Sequence, residues 1–196
     1  MELDPQQLIE DARQARARRL NAVVAVTVAV LATFMDICKV KDDNIVQAMQ
    51  QAQADKLDHW SFYQARNIRQ EVADATVTLL ELGRQGAGAE SAARYDAAIA
   101  SYRQLAKEQA AKKAELKAQA EQDQVSYDAL NFRDDQFDLS DASIAIAIAM
   151  LAVTALTGLW SLYFAALVPT AFGLAMGVAG LAALPWHPGA LVRLLS

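Results

Sequence analysis

The residues best suited to chemistry in this chain are two histidines, one cysteine and a scatter of aspartates. His59 has Asp55 one helical turn before it, which is half of a metal site. The other ligands are missing, because His187 lies far along the chain. Neither histidine has a Ser, Cys or second base at a spacing that would make a nucleophile and its activator. Cys38 is the only cysteine, so no internal disulfide forms and the redox compartment stays unread. Residues 83–89, Gly-Arg-Gln-Gly-Ala-Gly-Ala, have the glycine density of a phosphate loop. They lack its Lys-Ser/Thr pair and the strand before it. Asp128, Asp134, Asp135, Asp138 and Asp141 offer the oxygen ligands that calcium and magnesium take. Their spacing follows no calcium loop, and they are read as a solvated acidic collar. Asp36, at the edge of an apolar run, has the chemistry of an intramembrane proton relay. With Lys39 three residues on, it is read as interfacial. No catalytic residue, metal or cofactor is expected, and the chain is read as a non-enzyme.

The elements that would position these residues are set by where charge is absent. From Ala142 to Val192 there is no Lys, Arg, Asp or Glu. That leaves room for two membrane spans of about 20 residues each. A further apolar run covers residues 20–38. It is too long for a signal-peptide core and no small-residue cleavage site follows, so it is read as an uncleaved anchor. Its valines do not make it a strand, since a lone strand in lipid leaves its backbone unpaired. The expected fold is all-α: an integral membrane protein with three transmembrane helices and a long, antiparallel, coiled-coil-like helical hairpin between the first and second. Residues 1–19 form a basic amphipathic helix and 20–38 the first span. Residues 39–141 form the hairpin with a tip loop at 83–90, 142–184 the paired spans, and 185–196 an interfacial tail. Asp4 as cap, Pro5 at the first helical position and a Leu3–Leu8 staple mark the helix start.

On the outgoing arm Ile45, Met49, Leu57, Trp60, Ile68, Val72, Ala75, Leu79 and Leu82 read as one apolar stripe ending at Gly83. The return arm, capped by Ser91, carries Tyr95, Ile99, Tyr102, Ala106, Gln109, Lys113, Leu116 and Ala120 in steps of four and three, a heptad seam. Gln109 and Lys113 interrupt it, so partner hairpins are expected to bury what is left. The second span is expected at 142–159, its turn near Trp160–Tyr163, and the third span at 164–184. Gly173 and Gly177 form a GxxxG pair for close helix packing. Arg13, Arg16, Arg18 and Arg19 crowd the first span, whereas Lys39 and Lys41 beyond it are offset by Asp36, Asp42 and Asp43. Positive-inside asymmetry puts the N-terminus in the cytoplasm and the hairpin in the periplasm, with the arginines at the membrane surface.

The layout of one span, a helical hairpin and a paired C-terminal span resembles a bacterial membrane-protein family known only as domain of unknown function four-three-three-seven. The most specific likeness is in Lys56-Leu57-Asp58-His59-Trp60-Ser61-Phe62-Tyr63-Gln64-Ala65-Arg66-Asn67-Ile68-Arg69, and Phe137-Asp138-Leu139 is similar more weakly. The resemblance implies a membrane location and brings no activity or cofactor. Within that run Lys56, Trp60, Tyr63, Arg66 and Asn67 share a helix face. Trp60, Tyr63, Arg66, Ile68, Tyr95 and Tyr102 are the residues expected to pack arms or subunits together.

A net charge of −5 with no basic patch argues against nucleic acid. The expected partners are the lipid bilayer, further copies of the chain and an envelope protein. The function expected is a homo-oligomeric inner-membrane scaffold or interaction protein presenting a helical stalk. The alternative is a subunit of a small channel or transport assembly. Asn21, Thr27, Thr33, Thr154, Thr157 and Thr170 are thin material for its lining.

Overall fold

The computed structural model describes residues 5–186 and 188, and among these the chain is all-helical with no strand. Its elements are α1 (Pro5–Gln85), α2 (Ala89–Thr157) and α3 (Trp160–Leu181). The expected cap Asp4, the Leu3–Leu8 staple, His187 and the tail from 189 lie outside what is described. α1 has no Gly before Gly83 and no Pro after its first residue, and α2 has neither, so nothing interrupts their hydrogen-bond ladders. All three helices are long and apolar enough to cross a membrane.

Both turns differ from the sequence expectation. α1 runs through Gly83 to Gln85, and the turn needs only residues 86–88. Gly83 is a notch: a Cβ there would sit 3.0 Å from the Tyr95 ring, so the absent side chain admits the return arm. Ser91 falls inside the first turn of α2, which begins at Ala89. The second turn is Gly158–Leu159, ahead of the expected Trp160–Tyr163. Gly158 holds the left-handed φ of 69° that ends α2. Trp160, Tyr163 and Phe164 therefore lie in the first turns of α3, with ring centroids 5.8 to 6.2 Å apart.

The chain packs as two units, one of residues up to Gln47 with those from Leu130 onward, the other of residues 48–129. In the first, Leu20, Val24 and Leu31 of α1 meet Ile144, Ala147 and Leu151 of α2 and Ala166 of α3 in one core. α3 joins it through a face of small residues, with Gly173, Gly177, Ala179 and Gly180 all buried. A Cβ on Gly173 would lie 2.7 Å from the Ile144 side chain, and one on Gly177 2.6 Å from the Phe34 ring and 2.7 Å from the Ser140 hydroxyl. Gly177 is thus where three helices touch. Ser140 donates to the Gly173 carbonyl at 2.8 Å, a buried polar contact that close approach makes possible.

The C-terminus of α3 is held by α2. Arg133 donates to the Gly180 carbonyl at 3.0 Å. Buried Gln136 donates to the carbonyls of Leu184 at 2.9 Å and Trp186 at 2.6 Å. Two donors one turn apart on α2 thus meet carbonyls in the last turn of α3 and in the segment after it. The sequence reading takes this stretch as an acidic collar and misses both donors.

Candidate functional site

In the unit of residues 48–129, α1 and α2 run in opposite directions with charged and polar side chains between them. Lys56 donates to Gln124. His59 Nδ1 lies 2.6 Å from Asp123 Oδ2, both side chains half-buried. Arg66 donates to Gln109 at 3.1 Å, and Lys113 donates to Asn67 at 2.9 Å. Lys113 also stands 5.9 Å from the centre of the Tyr63 ring. That is close enough for cation–π attraction. Trp60 meets Tyr63 edge to face at 5.2 Å. Nearer the tip Arg103 pairs with Glu81 at 2.5 Å, and Arg84 pairs with Asp96.

The Lys56–Arg69 run thereby acquires a physical reading. Ala52, Lys56, His59, Tyr63, Arg66, Gln70, Ala73, Val77 and Leu80 follow heptad spacing on the inner side of α1. On α2, Tyr95, Ile99, Ala106, Gln109, Lys113, Leu116 and Ala120 form the matching side, all buried or half-buried. Gln109 and Lys113, read in sequence as interruptions, are matched by Arg66 and Asn67. His59 takes its partner from the other arm, Asp123, while Asp55 accepts instead from Gln51 at 2.7 Å. Among the described residues no group of three or more His, Cys, Asp or Glu is arranged to hold a metal ion.

Two of the expected packing residues are exposed in the single chain. Tyr102, in heptad register between Ile99 and Ala106, is 38% exposed. Ile68 is 60% exposed, with Val72 at 60%, Leu79 at 69% and Leu82 at 60%. The single apolar stripe expected on α1 is therefore two features. Ile45 and Met49 are buried, while Ile68, Val72, Ala75, Leu79 and Leu82 repeat in steps of four and three along an outward face.

The other unit holds a cluster of carboxylates where α1 and α2 meet. Asp42 is buried, bonded through Oδ2 to Lys39 at 2.9 Å, and its Oδ1 has no hydrogen-bond partner. Burial, and then the adjacent Asp42 carboxylate, push the Asp134 carboxyl up to about 6. Asp138 is raised for the same reasons, desolvation first and Asp42 second. A small crevice beside Asp42 and Asp138 has a volume of about 20 Å³. It has room for one water molecule. The threonines of the apolar stretches spend their hydroxyls on their own helices: Thr27, Thr33, Thr154, Thr157 and Thr170 each donate to the carbonyl four residues back, at 2.8 to 2.9 Å. Arg13, Arg16, Arg18 and Arg19 are all exposed near the start of α1.

A family model described as Domain of unknown function (DUF4337) matches residues 20–183, most of the chain and nearly all that the structure describes. No curated protein and no solved structure matches it significantly.

Proposed function

The chain belongs to the DUF4337 family, and on that premise we propose that it is a non-enzymatic, homo-oligomeric scaffold or interaction protein of the bacterial inner membrane. Its three apolar stretches cross the bilayer, the N-terminus is cytoplasmic, and the helical hairpin of residues 39–141 is a periplasmic stalk. Exposed Val26, Val30, Leu156 and Val168 favour insertion, since only 17% of the most apolar stretch of α1 is buried within the protein. Arginines on one side of the first span favour the orientation.

The observation that carries the reading is the outward face of Ile68, Val72, Ala75, Leu79 and Leu82. Its four-three spacing is that of a coiled-coil seam, yet the neighbouring arm packs on the opposite side of α1. Copies anchored in one membrane start their stalks at the same height and in the same direction. Identical seams then meet in register, which a heptad face requires. The polar inner seam supplies specificity between arms and little burial, so association supplies the remaining stability. The threonine hydroxyls, already bonded to their own backbones, disfavour a pore lined by these helices.

The test replaces Val72 and Leu79 together with Glu. Like charges facing each other across the seam should reduce the mass of the detergent-solubilised particle to one chain, with helicity retained. An unchanged mass overturns the reading. A monomeric parent that co-purifies with one envelope protein assigns the face to that partner instead.

A further inference from the structure

The arginines ahead of the first span, read in sequence as an orientation signal, have a local structure that such a signal does not need. Arg13, Arg16 and Arg19 recur every third residue, so they share one side of α1. That side meets the turn between α2 and α3. Arg13 and Arg16 line a cleft with Thr157, Gly158 and Trp160, and its volume is about 420 Å³. That volume is typical of a small-ligand site. Arg16 and Arg19 line a second cleft with Trp160 and Phe164. Arg16 and Trp160 belong to both, whereas Arg18 lines neither. Among the described residues no carboxylate pairs with any of the four arginines, and Glu10 and Asp11, a turn earlier, line neither cleft.

Three exposed cations on one helix face, with no carboxylate of the described residues paired with them, attract an anion of more than one charge or more than one anion. Their guanidinium forks match phosphate oxygens in a bidentate way. The apolar residues that line the clefts are open: Leu159 is 51% exposed and Phe164 60%. A free phosphate has no use for that surface, while the acyl chains of a lipid do. Gly158 adds no side chain to obstruct it, since a Cβ there would meet nothing within 4 Å.

We propose that the Arg13–Arg16–Arg19 face and the α2–α3 turn form a binding site for the phosphate headgroup of an anionic phospholipid, with Arg16 at its centre. The site rests on the reading that these helices lie in a membrane, and it would clamp the α2–α3 turn to α1 in the leaflet where the arginines reside. The stalk and its oligomeric state play no part in it.

The experiment is native mass spectrometry of the full-length protein in detergent, titrated with phosphatidylglycerol, phosphatidylcholine or inorganic phosphate. The expected result is retention of phosphatidylglycerol over phosphatidylcholine, weakened roughly fivefold by Arg16→Gln and little changed by Arg18→Gln. Arg16→Lys keeps the charge and loses the fork, so it should bind between the parent and Arg16→Gln, separating lost charge from a folding defect. Equal losses for the Arg16 and Arg18 variants would reduce the site to diffuse charge and overturn the proposal. So would equal retention of phosphatidylcholine, or displacement of the lipid by millimolar inorganic phosphate. Because detergent removes the question of leaflet, a wrong orientation leaves this result standing. The Val72→Glu/Leu79→Glu protein should bind lipid as the parent does, so failure of the stalk reading is separately visible.

Discussion

The unit formed by residues up to Gln47 and from Leu130 onward buries apolar and small side chains. The unit of residues 48–129 does the reverse along much of α1, with Lys56, His59, Arg66 and Asn67 inside and Ile68, Val72, Leu79 and Leu82 outside. In lipid, burying apolar surface against a neighbouring helix gains little, because the tails are equally apolar. Helices there gain from close contact, and α3 makes such contacts at Gly173, Gly177 and Gly180. In water, apolar surface left exposed costs about 25 cal/mol per Å², so an outward seam is stable only when something covers it. The comparison separates a unit built around an apolar, small-residue core from a unit with a polar seam inside and an apolar face outside; on the proposed function, other copies cover that face.

The variant with the largest expected effect strikes the complete unit. Gly177→Leu places a branched side chain where a single Cβ already approaches Phe34 and Ser140 within 2.6 to 2.7 Å. Overpacking at a point where three helices meet should cost about 3 kcal/mol, seen as a lower melting temperature in detergent while insertion persists. Gly173→Leu should behave alike against Ile144. Unchanged melting would mean that α3 packs elsewhere, and the contrast between the units would lose its firmer half.

Next comes Trp60→Ala in the other unit. Truncating a fully buried aromatic costs roughly 3–5 kcal/mol. Trp60 is only half-buried. Its truncation should therefore cost about 2 kcal/mol. Circular dichroism should show the arms melting earlier, and crosslinking should show a weakened oligomer. A cost equal to that of Gly177→Leu would mean that the polar seam is packed as tightly as the apolar unit, which breaks the comparison. No cost would free Trp60 for a partner.

Much of this division was legible in the sequence. The charge-free runs mark the three apolar stretches, and the heptad on α2 picks out Ile99, Ala106, Gln109 and Ala120, all buried. Periodicity failed on α1, because it ranks residues by polarity while the arm ranks them by complementarity. Lys56 and Arg66 face inward since Gln124 and Gln109 await them, information that lies on the other arm. The apolar residues then read as one stripe when they are two. Gly158 carried a turn signal that the neighbouring aromatics overshadowed. The capping roles of Arg133 and Gln136 had no local signal, because their acceptors lie far along the chain, at Gly180, Leu184 and Trp186.

The smallest expected effect concerns the polar exception within the apolar unit, the carboxylates around Asp42. Asp134 is raised to about 6 by burial and by Asp42. Its value in the unfolded chain is near 4. The folded state therefore holds a proton that the unfolded chain releases between about pH 4 and pH 6. Stability from this group is fully present below the lower value and is lost as pH rises through the upper one. Asp138 and Asp135 add repulsion in the same direction, and at Asp138 itself Lys39 offsets part of the rise. Melting temperature should fall from about pH 5 to about pH 7.5. Asp134→Asn carries an uncharged carboxamide at every pH, so it should melt higher than the parent at about pH 7.5 and show a flatter slope. Some slope should persist, because Asp138 is raised as well. If the variant keeps the parent's full slope, the proton resides on another group of the cluster.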